Sequence, residues 1–333
     1  MPDELPLAPA EDLATILPDL VRKTDCDGWQ PMRGPLHCRG CTIYFLRSPD
    51  FRLPGIVLKA FPQEPPERRL MKRLAAMHEA GATLHAAATA EFAVPEPVTL
   101  IRKWRVLGME FIAAPRSNGL LNASLLSPAK RDEVIAKSAG WLRWFHTRSE
   151  MDVRQFDASL HLAALAKMTS QLPATDPFLS KCLRLAENVT AEMDGQPFHH
   201  AAIHGDFTPF NLFIDGGRTI GFDYQAKGMR PVSADICRYL LYLGMYHPLP
   251  ARAAELREFG CRQRDSEVFL DAYGGGPDLT GNPLWPGLHF LEVVRRIASL
   301  TLLREKGRSR PLRLVEMALL RRNAAQLMKT LAR

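Results

Sequence analysis

At 333 residues, 46% of them hydrophobic and 24% charged, the chain is long enough to bury two cores and has the composition of a globular protein, not a disordered or fibrous one. No apolar run approaches the roughly 20 residues of a membrane-crossing helix, and the acidic, proline-bearing start MPDELPLAPAEDL is the wrong opening for a secretory signal, so a cytoplasmic protein is expected. The formal charge is +7, and six scattered cysteines, Cys26, Cys38, Cys41, Cys182, Cys237 and Cys261, predict reduced thiols.

Residues from Ala10 to Val21 contain EDLATILPDLV, the pattern of a short amphipathic helix. Two β-rich runs follow, CTIYFLR and GIVLKAF, and predict a hairpin whose second strand carries Lys59. The stretch from Arg33-Gly34-Pro35 to Gly40 reads as a turn ahead of that hairpin. Within it Cys38-Arg39-Gly40-Cys41, with His37 alongside, lacks the second CxxC or H-x₃-H that would complete four zinc ligands, so its thiols are expected to be incidental. PPERRLMKRLAAMHEAGATL sets Leu70, Leu74, Met77 and Leu84 on a helical period and carries the acids Glu67 and Glu79. Beyond it VPEPVTLI and VLGMEFIA read as two more strands.

After Ala114 strand signals fade and helices dominate, which divides the chain into an expected N-terminal lobe, 1–113, and a C-terminal lobe, 114–333. SPAKRDE offers Ser127 as an N-cap with Pro128 at the first helical position. The helix it opens ends in AGWLRWFH, where His146 is expected to be a packed structural histidine. Helices around LHLAALAKMTSQL and PFLSKCLRLAENVTAEM then lead to the most informative stretch of the chain.

That stretch is AAIHGDFTPFNLFIDGGRTIGFDYQ, Ala201 to Gln225. It reads as a loop, a short strand, a tight turn at Asp215-Gly216-Gly217, and a second strand ending at Asp223. A carboxylate and an amide in one loop divide the labour of phosphate chemistry: Asp206 suits the acceptance of a hydroxyl proton, and the Asn211 amide oxygen suits a neutral Mg²⁺ ligand. Asp223, returned by the hairpin, supplies the charged oxygen that a hard cation needs. His204 has no second His or Cys at ligand spacing and is expected to support the loop through hydrogen bonds.

Past Asp223, QAKGMRPVSADICRYLLYLGMY predicts a buried helix with Asp235 in its first turn, an acid that in isolation reads as a cap or a dipole partner. The remaining segments read as helices separated by Gly/Pro breaks. From Phe290 onward Arg and Lys outnumber acids by about eight, which accounts for the whole charge excess. Because these cations alternate with an apolar stripe, a solvated helical face is expected; no nucleic-acid partner is expected, and peripheral contact with an anionic surface is the other use such a tail could have.

The arrangement H-G-D-x₄-N, apolar strand, DGG turn, apolar strand and Asp resembles the catalytic loop and metal-binding segment of the aminoglycoside phosphotransferase and choline kinase-like family, a branch of the protein-kinase-like fold. Gly205 stands where protein kinases keep Arg, and Asp223-Tyr224-Gln225 where they keep D-F-G. The resemblance implies an α+β, two-lobed fold, with an N-terminal antiparallel sheet plus helix and a larger helical C-terminal lobe. It implies ATP and Mg²⁺ as cofactors, Asp206 as base with His204 holding its loop, and Asn211 and Asp223 as metal ligands. Lys59 in IVLKA resembles the strand lysine of V-A-I-K that meets ATP phosphates, paired with Glu67 or, as the alternative, Glu79. Met109 to Ile112 resembles the hinge, where backbone groups of Glu110 and Ile112 would face adenine. Asp235 would anchor the catalytic loop from below. The implied reaction is transfer of the γ-phosphoryl group to a hydroxyl of a small molecule such as a sugar, amino sugar, aminoglycoside-like compound or amino alcohol; a catalytically silent nucleotide-binding module is the other reading.

Overall fold

The β-rich runs of the first hundred residues build one sheet in the computed structural model, which describes residues 13–38, 40–62, 67–124, 127–148, 151–172, 176–225, 228–245, 260–274, 282, 284–305 and 311–331, with the side chains of 67–68, 304–305 and 311–313 outside the description. Helix α1 (Leu13–Thr24) precedes the strands β1 (Gln30–Cys38), β2 (Cys41–Arg47) and β3 (Ile56–Ala60); α2 (Glu67–Ala86), β4 (Phe92–Ala93), β5 (Pro97–Ile101) and β6 (Val106–Glu110) follow. The five-stranded sheet runs β1-β2-β3-β6-β5, antiparallel throughout.

Period-two alternation decides what each face of this sheet does. Ile56, Leu58 and Ala60 of β3 join Leu46, Ile101 and Val106 in a core that α1 closes with Ile16 and Leu20, one helical turn apart and fully buried. The amphipathic helix read from the sequence therefore covers a sheet face, and its Asp19 accepts a hydrogen bond from the Trp104 indole at 2.7 Å. Lys59, out of phase with those apolar residues, goes to the opposite face.

The region read as a turn before the hairpin is instead strand β1, with the turn confined to its end, where Cys38 and Cys41 lie opposite each other as free cysteines. Pro31 and Pro35 hid it. An edge strand can carry proline because one side of its backbone needs no partner, and the register of β1 shifts between Pro31 and Arg33 and again between Arg33 and Leu36.

The second compact unit spans Arg116–Leu212 and Lys227–Arg333. It begins with α3 (Ser117–Ala123), α4 (Pro128–Thr147), β7 (Asp152–Gln155), α5 (Ala158–Thr169), α6 (Pro177–Glu192) and β8 (Pro197–Ala202). Helix α4 starts at Pro128 as its sequence predicts, but the Ser127 hydroxyl makes no capping bond. Capping is done elsewhere by aspartates that the sequence reading passed over: Asp157 accepts from the Ser159 N–H at 2.9 Å and Asp176 from the Leu179 N–H at 3.2 Å.

The chain then re-enters the first unit, which runs Met1–Pro115 and takes in Phe213–Ala226. Strands β9 (Leu212–Asp215) and β10 (Arg218–Gly221) form the expected hairpin, and β10 pairs in parallel with β4. Back in the second unit, β11 (Met229–Pro231) completes the sheet β11-β8-β7, and α7 (Ser233–Met245), α8 (Gln263–Tyr273), α9 (Trp285–Glu305) and α10 (Pro311–Leu331) follow. A buried bidentate pair fastens α4 to α8: Arg131 Nε and Nη2 lie 2.9 and 2.6 Å from the two carboxylate oxygens of Asp265. In the basic tail Arg322 and Lys329 are exposed, as a solvated face requires, while three other arginines are paired. Arg295 pairs with Glu292, Arg296 with Glu316 and Arg321 with Asp176, so part of its charge is neutralised within the unit. Among the described residues no helix is long and apolar enough to cross a membrane.

Candidate active site

Strand β8 ends at Ala202, and the loop after it has lost a ladder for its backbone groups. Asp235, in the first turn of α7 and 1% exposed, replaces that ladder. It accepts the His204 N–H at 2.6 Å and the Gly205 N–H at 2.8 Å, and it lies 3.2 Å from His146 Nε2. Burial pushes this carboxyl up, but the His146 bond, the neighbouring imidazoles and the Gly205 N–H outweigh it and hold Asp235 below the ordinary carboxylate value. His146 is the packed structural histidine that the sequence predicts: fully buried, with Nδ1 2.8 Å from the Tyr273 hydroxyl.

Gly205 has φ +81°, a left-handed conformation that an L side chain would strain, and it turns the chain sharply at the loop's centre. His204 is fully buried among Trp141, Phe145 and Phe207, with ring centroids 5.9, 5.9 and 5.7 Å away, and its Nδ1 accepts the Asp206 N–H at 3.3 Å. With the ring fixed by packing, that bond sets the direction in which the loop leaves the core. The Asp206 side chain is 43% exposed. Asn211 closes the loop from a 3₁₀ turn, Pro209–Asn211, with its Nδ2 donating to the Asp206 carbonyl at 2.9 Å. A carbonyl can only accept, so the Asn211 amide is oriented with its oxygen turned away from the loop, as a neutral ligand for a hard cation requires.

In the first unit, Lys59 is 7% exposed and its Nζ lies 2.8 Å from Asp223 Oδ1. Asp223 itself is held at φ +64°, a conformation that costs a non-glycine residue about 1–2 kcal/mol, and keeps its carboxylate 45% exposed. Strain retained at an accessible charged group is a mark of a functional position. The next residue, Tyr224, packs against α2 so closely that a Cβ on Gly81 would come within 2.5 Å of its hydroxyl, and burial pushes that phenol up. Met77, Leu107, Met109, Phe222, Asp223 and Tyr224 line a mainly apolar cavity there. Cys41 is also near the Lys59–Asp223 pair, its thiol pushed up to about 11 chiefly by burial.

Of the acids on α2, Glu67 opens the helix but its side chain lies outside the described residues; Glu79 is exposed, and the acid bonded to Lys59 among the described side chains is Asp223. At the expected hinge the Glu110 N–H is taken by the Glu96 carbonyl at 2.8 Å and the Phe111 N–H by the Gly55 carbonyl at 2.9 Å. Ile112 follows just past the end of β6, beyond these bonds.

Sequence reasoning missed Arg238. On α7, one turn beyond Asp235, its Nη1 lies 2.7 Å from the Gly205 carbonyl and 3.1 Å from Asp206 Oδ1. Its Nη2 is 3.5 Å from Glu292, which Arg295 holds at 3.0 Å, and Arg295 in turn donates to His161 Nδ1 at 2.7 Å. The spacing Asp235, Arg238, Tyr242 on a single helix face was the available signal.

An imidazole nitrogen that accepts from a guanidinium is an unprotonated one. Burial first, then the charges of Arg295 and Arg230, push the His161 pKa down to about 4 from 6.5. Between those values the unfolded chain binds the extra proton, so stability is full above pH 6.5 and falls as the pH drops toward 4, by about 2–3 kcal/mol. Urea unfolding at pH 7.5 and 4.5 should show the native protein losing about 2 kcal/mol more than His161→Gln, which keeps an acceptor but does not titrate; equal losses would refute this.

A sequence profile of the phosphotransferase enzyme family, APH, matches residues 43–269. Among curated proteins no sequence matches the chain significantly. Solved structures match along nearly all of it. A choline/ethanolamine kinase family protein from Mesorhizobium loti is 16% identical, with 95% of this chain and 94% of that one covered and a TM-score of 0.58. The amicoumacin kinase hAmiN, solved with AMP-PNP, Ca²⁺ and Ami, is 14% identical over 96% and 95% of the two chains, with a TM-score of 0.62. The macrolide 2′-phosphotransferase MphH from Brachybacterium faecium is 18% identical over 92% and 98%, with a TM-score of 0.54. Identities this low speak for the fold alone, the α+β protein-kinase-like fold of these enzymes. The match over 43–269 takes in strand β3 with Lys59, the whole loop from His204 to Asn211, and Asp223 and Asp235, and on it the chain belongs to the phosphotransferase enzyme family.

Proposed function

We propose that the protein transfers the γ-phosphoryl group of ATP to a hydroxyl of a small molecule, with Mg²⁺ as the metal. The observation that carries this reading is the loop His204–Asn211, pinned by buried Asp235, which presents one half-exposed carboxylate and one amide oxygen at fixed positions. Asp206 is the base that takes the acceptor's proton, and His204 positions it through the Asp206 N–H. Asn211 and Asp223 are the protein ligands for Mg²⁺, a cation that binds through one or two protein oxygens and the substrate's phosphates. When bound, the metal neutralises charge on those phosphates. Lys59, held against Asp223, steadies the nucleotide, and the Glu110 carbonyl and Ile112 N–H meet adenine. Residues 1–113 are assigned to nucleotide binding and 114–333 to catalysis and acceptor binding, with the stretch 213–226 that carries Asp223 grouped structurally with the first unit. Kinase structures of the same fold support this, one of them holding AMP-PNP and Ca²⁺.

The test is an acceptor screen: purified protein, MgATP and pooled sugars, amino sugars, aminoglycosides and amino alcohols, with ADP release and phosphorylated product measured. Product that depends on both Mg²⁺ and ATP supports the proposal; nucleotide binding with no turnover from any pool supports a silent binding module instead. Lys59→Met should weaken nucleotide binding about 10- to 100-fold, the scale of one or two lost charge-assisted contacts. Calorimetric titration with a non-hydrolysable ATP analogue measures it, and an unchanged Kd would remove Lys59 from the site.

A further inference from the structure

We infer that Arg238 is a positioning residue for Asp206, a guanidinium clamp that fixes which carboxylate oxygen receives the acceptor's proton. The inference rests on the assignment of Asp206 as base. Three consecutive loop residues are gripped by one face of α7. Asp235 takes the N–H groups of His204 and Gly205, and Arg238, one turn on, takes the Gly205 carbonyl at 2.7 Å and Asp206 Oδ1 at 3.1 Å. One helix face thus holds the backbone from below and the reacting side chain from beside it.

The clamp is itself braced. Glu292, 6% exposed, faces Arg238 Nη2 at 3.5 Å and is tied by Arg295 at 3.0 Å, which leans on His161 at 2.7 Å. Burial disfavours charge on Arg238, but Glu292, Asp206 and Asp235 offset it, and the guanidinium stays charged. A simple surface ion pair would need none of this support and would fix little. The same helix continues to Tyr242, whose ring meets Phe210 of the loop edge-on at 6.2 Å.

The geometry has a chemical consequence. Oδ1 is occupied by the guanidinium, and Oδ2, 3.4 Å from Asn211 Nδ2, is the oxygen left to meet a hydroxyl. What such a clamp supplies is orientation, and phosphoryl transfer, with its loose transition state, asks for orientation more than for strong proton abstraction.

Arg238→Met and Arg238→Lys in the full-length protein test this, with MgATP turnover measured on water and on whichever acceptor the screen identifies. Misplacement of a reacting group by about 1 Å costs up to about 100-fold, so Arg238→Met should lower kcat about 10- to 100-fold with the nucleotide Kd unchanged. Arg238→Lys should recover part of the loss, and methylguanidine should partly restore Arg238→Met. A purely structural role predicts a lower melting temperature with no recovery by methylguanidine, and that result overturns the inference, as does an unchanged kcat in Arg238→Met. Asp206→Asn separates the two claims: if it is inactive while Arg238→Met is fully active, only the clamp fails, whereas a fully active Asp206→Asn removes the base itself.

Discussion

Replacing Asp206 by Ala should reduce phosphoryl transfer by about 10²- to 10⁴-fold, the range a general base contributes, while leaving nucleotide binding intact. Two features of the site set this expectation. The carboxylate is 43% exposed, so its removal leaves no buried cavity, and the fold should lose little stability. Lys59, assigned to the nucleotide, and Asp223, assigned to its metal, belong to the other compact unit and bond to each other, and Asn211 is held by the Asp206 backbone carbonyl, which the substitution keeps. Loss of kcat with the analogue Kd and melting temperature unchanged is the expected signature, read by steady-state turnover, calorimetric titration and thermal melting. Asp206→Asn should be nearly as inactive, because an amide keeps an acceptor for Arg238 but cannot take a proton at neutral pH. Turnover within a factor of a few of the native enzyme in both variants would mean that the proton leaves by another route.

What could be read from the sequence was local. H-G-D-x₄-N is eight contiguous residues whose spacing alone forces a loop, and the DGG turn between two apolar runs specifies a hairpin. His146 was legible as structural because it closes an aromatic helix face, and Asp235 because an acid after Pro-Val-Ser opens a helix. Contacts across long separations were not. Asp223 reaches Lys59 from 164 positions away, and nothing near Lys59 advertises it. Arg238 looks on its helix like any solvent-facing cation until the loop and α9 are placed beside it. Strand β1 is concealed by its own prolines because its pairing is dictated by β2 and not by its own propensity. The aspartate caps of α5 and α6 stand in the open as D-A-S and D-P-F, and were readable by the rule that was applied to Ser127, where the hydroxyl makes no such bond.

Asp235→Ala should be the most destabilising of the site substitutions, at about 3–5 kcal/mol, the cost of breaking a buried charged network by removing one partner. The His204 and Gly205 N–H groups and His146 Nε2 all lose their acceptor in a space that solvent does not reach, and each unsatisfied donor costs about 1–3 kcal/mol. Asn at this position keeps one carbonyl oxygen but turns an NH₂ toward groups that are themselves donors, so it should fall between native and Ala. Acid separates this network from mere volume loss. The folded pKa of Asp235 lies below its unfolded value of 3.8, so its charge contributes stability above pH 3.8 that is lost as the pH falls through the lower folded value. The stability gap between native protein and Asp235→Ala should therefore be widest at neutral pH and shrink below pH 3.8, measured by urea unfolding across that range. A gap independent of pH would show that the side chain acts by filling space alone. Because the same carboxylate holds the turn that aims Asp206, Asp235→Asn should also lose turnover at temperatures where it is fully folded, with nucleotide affinity retained. That combination ties the stability of this buried carboxylate to the orientation of the exposed one.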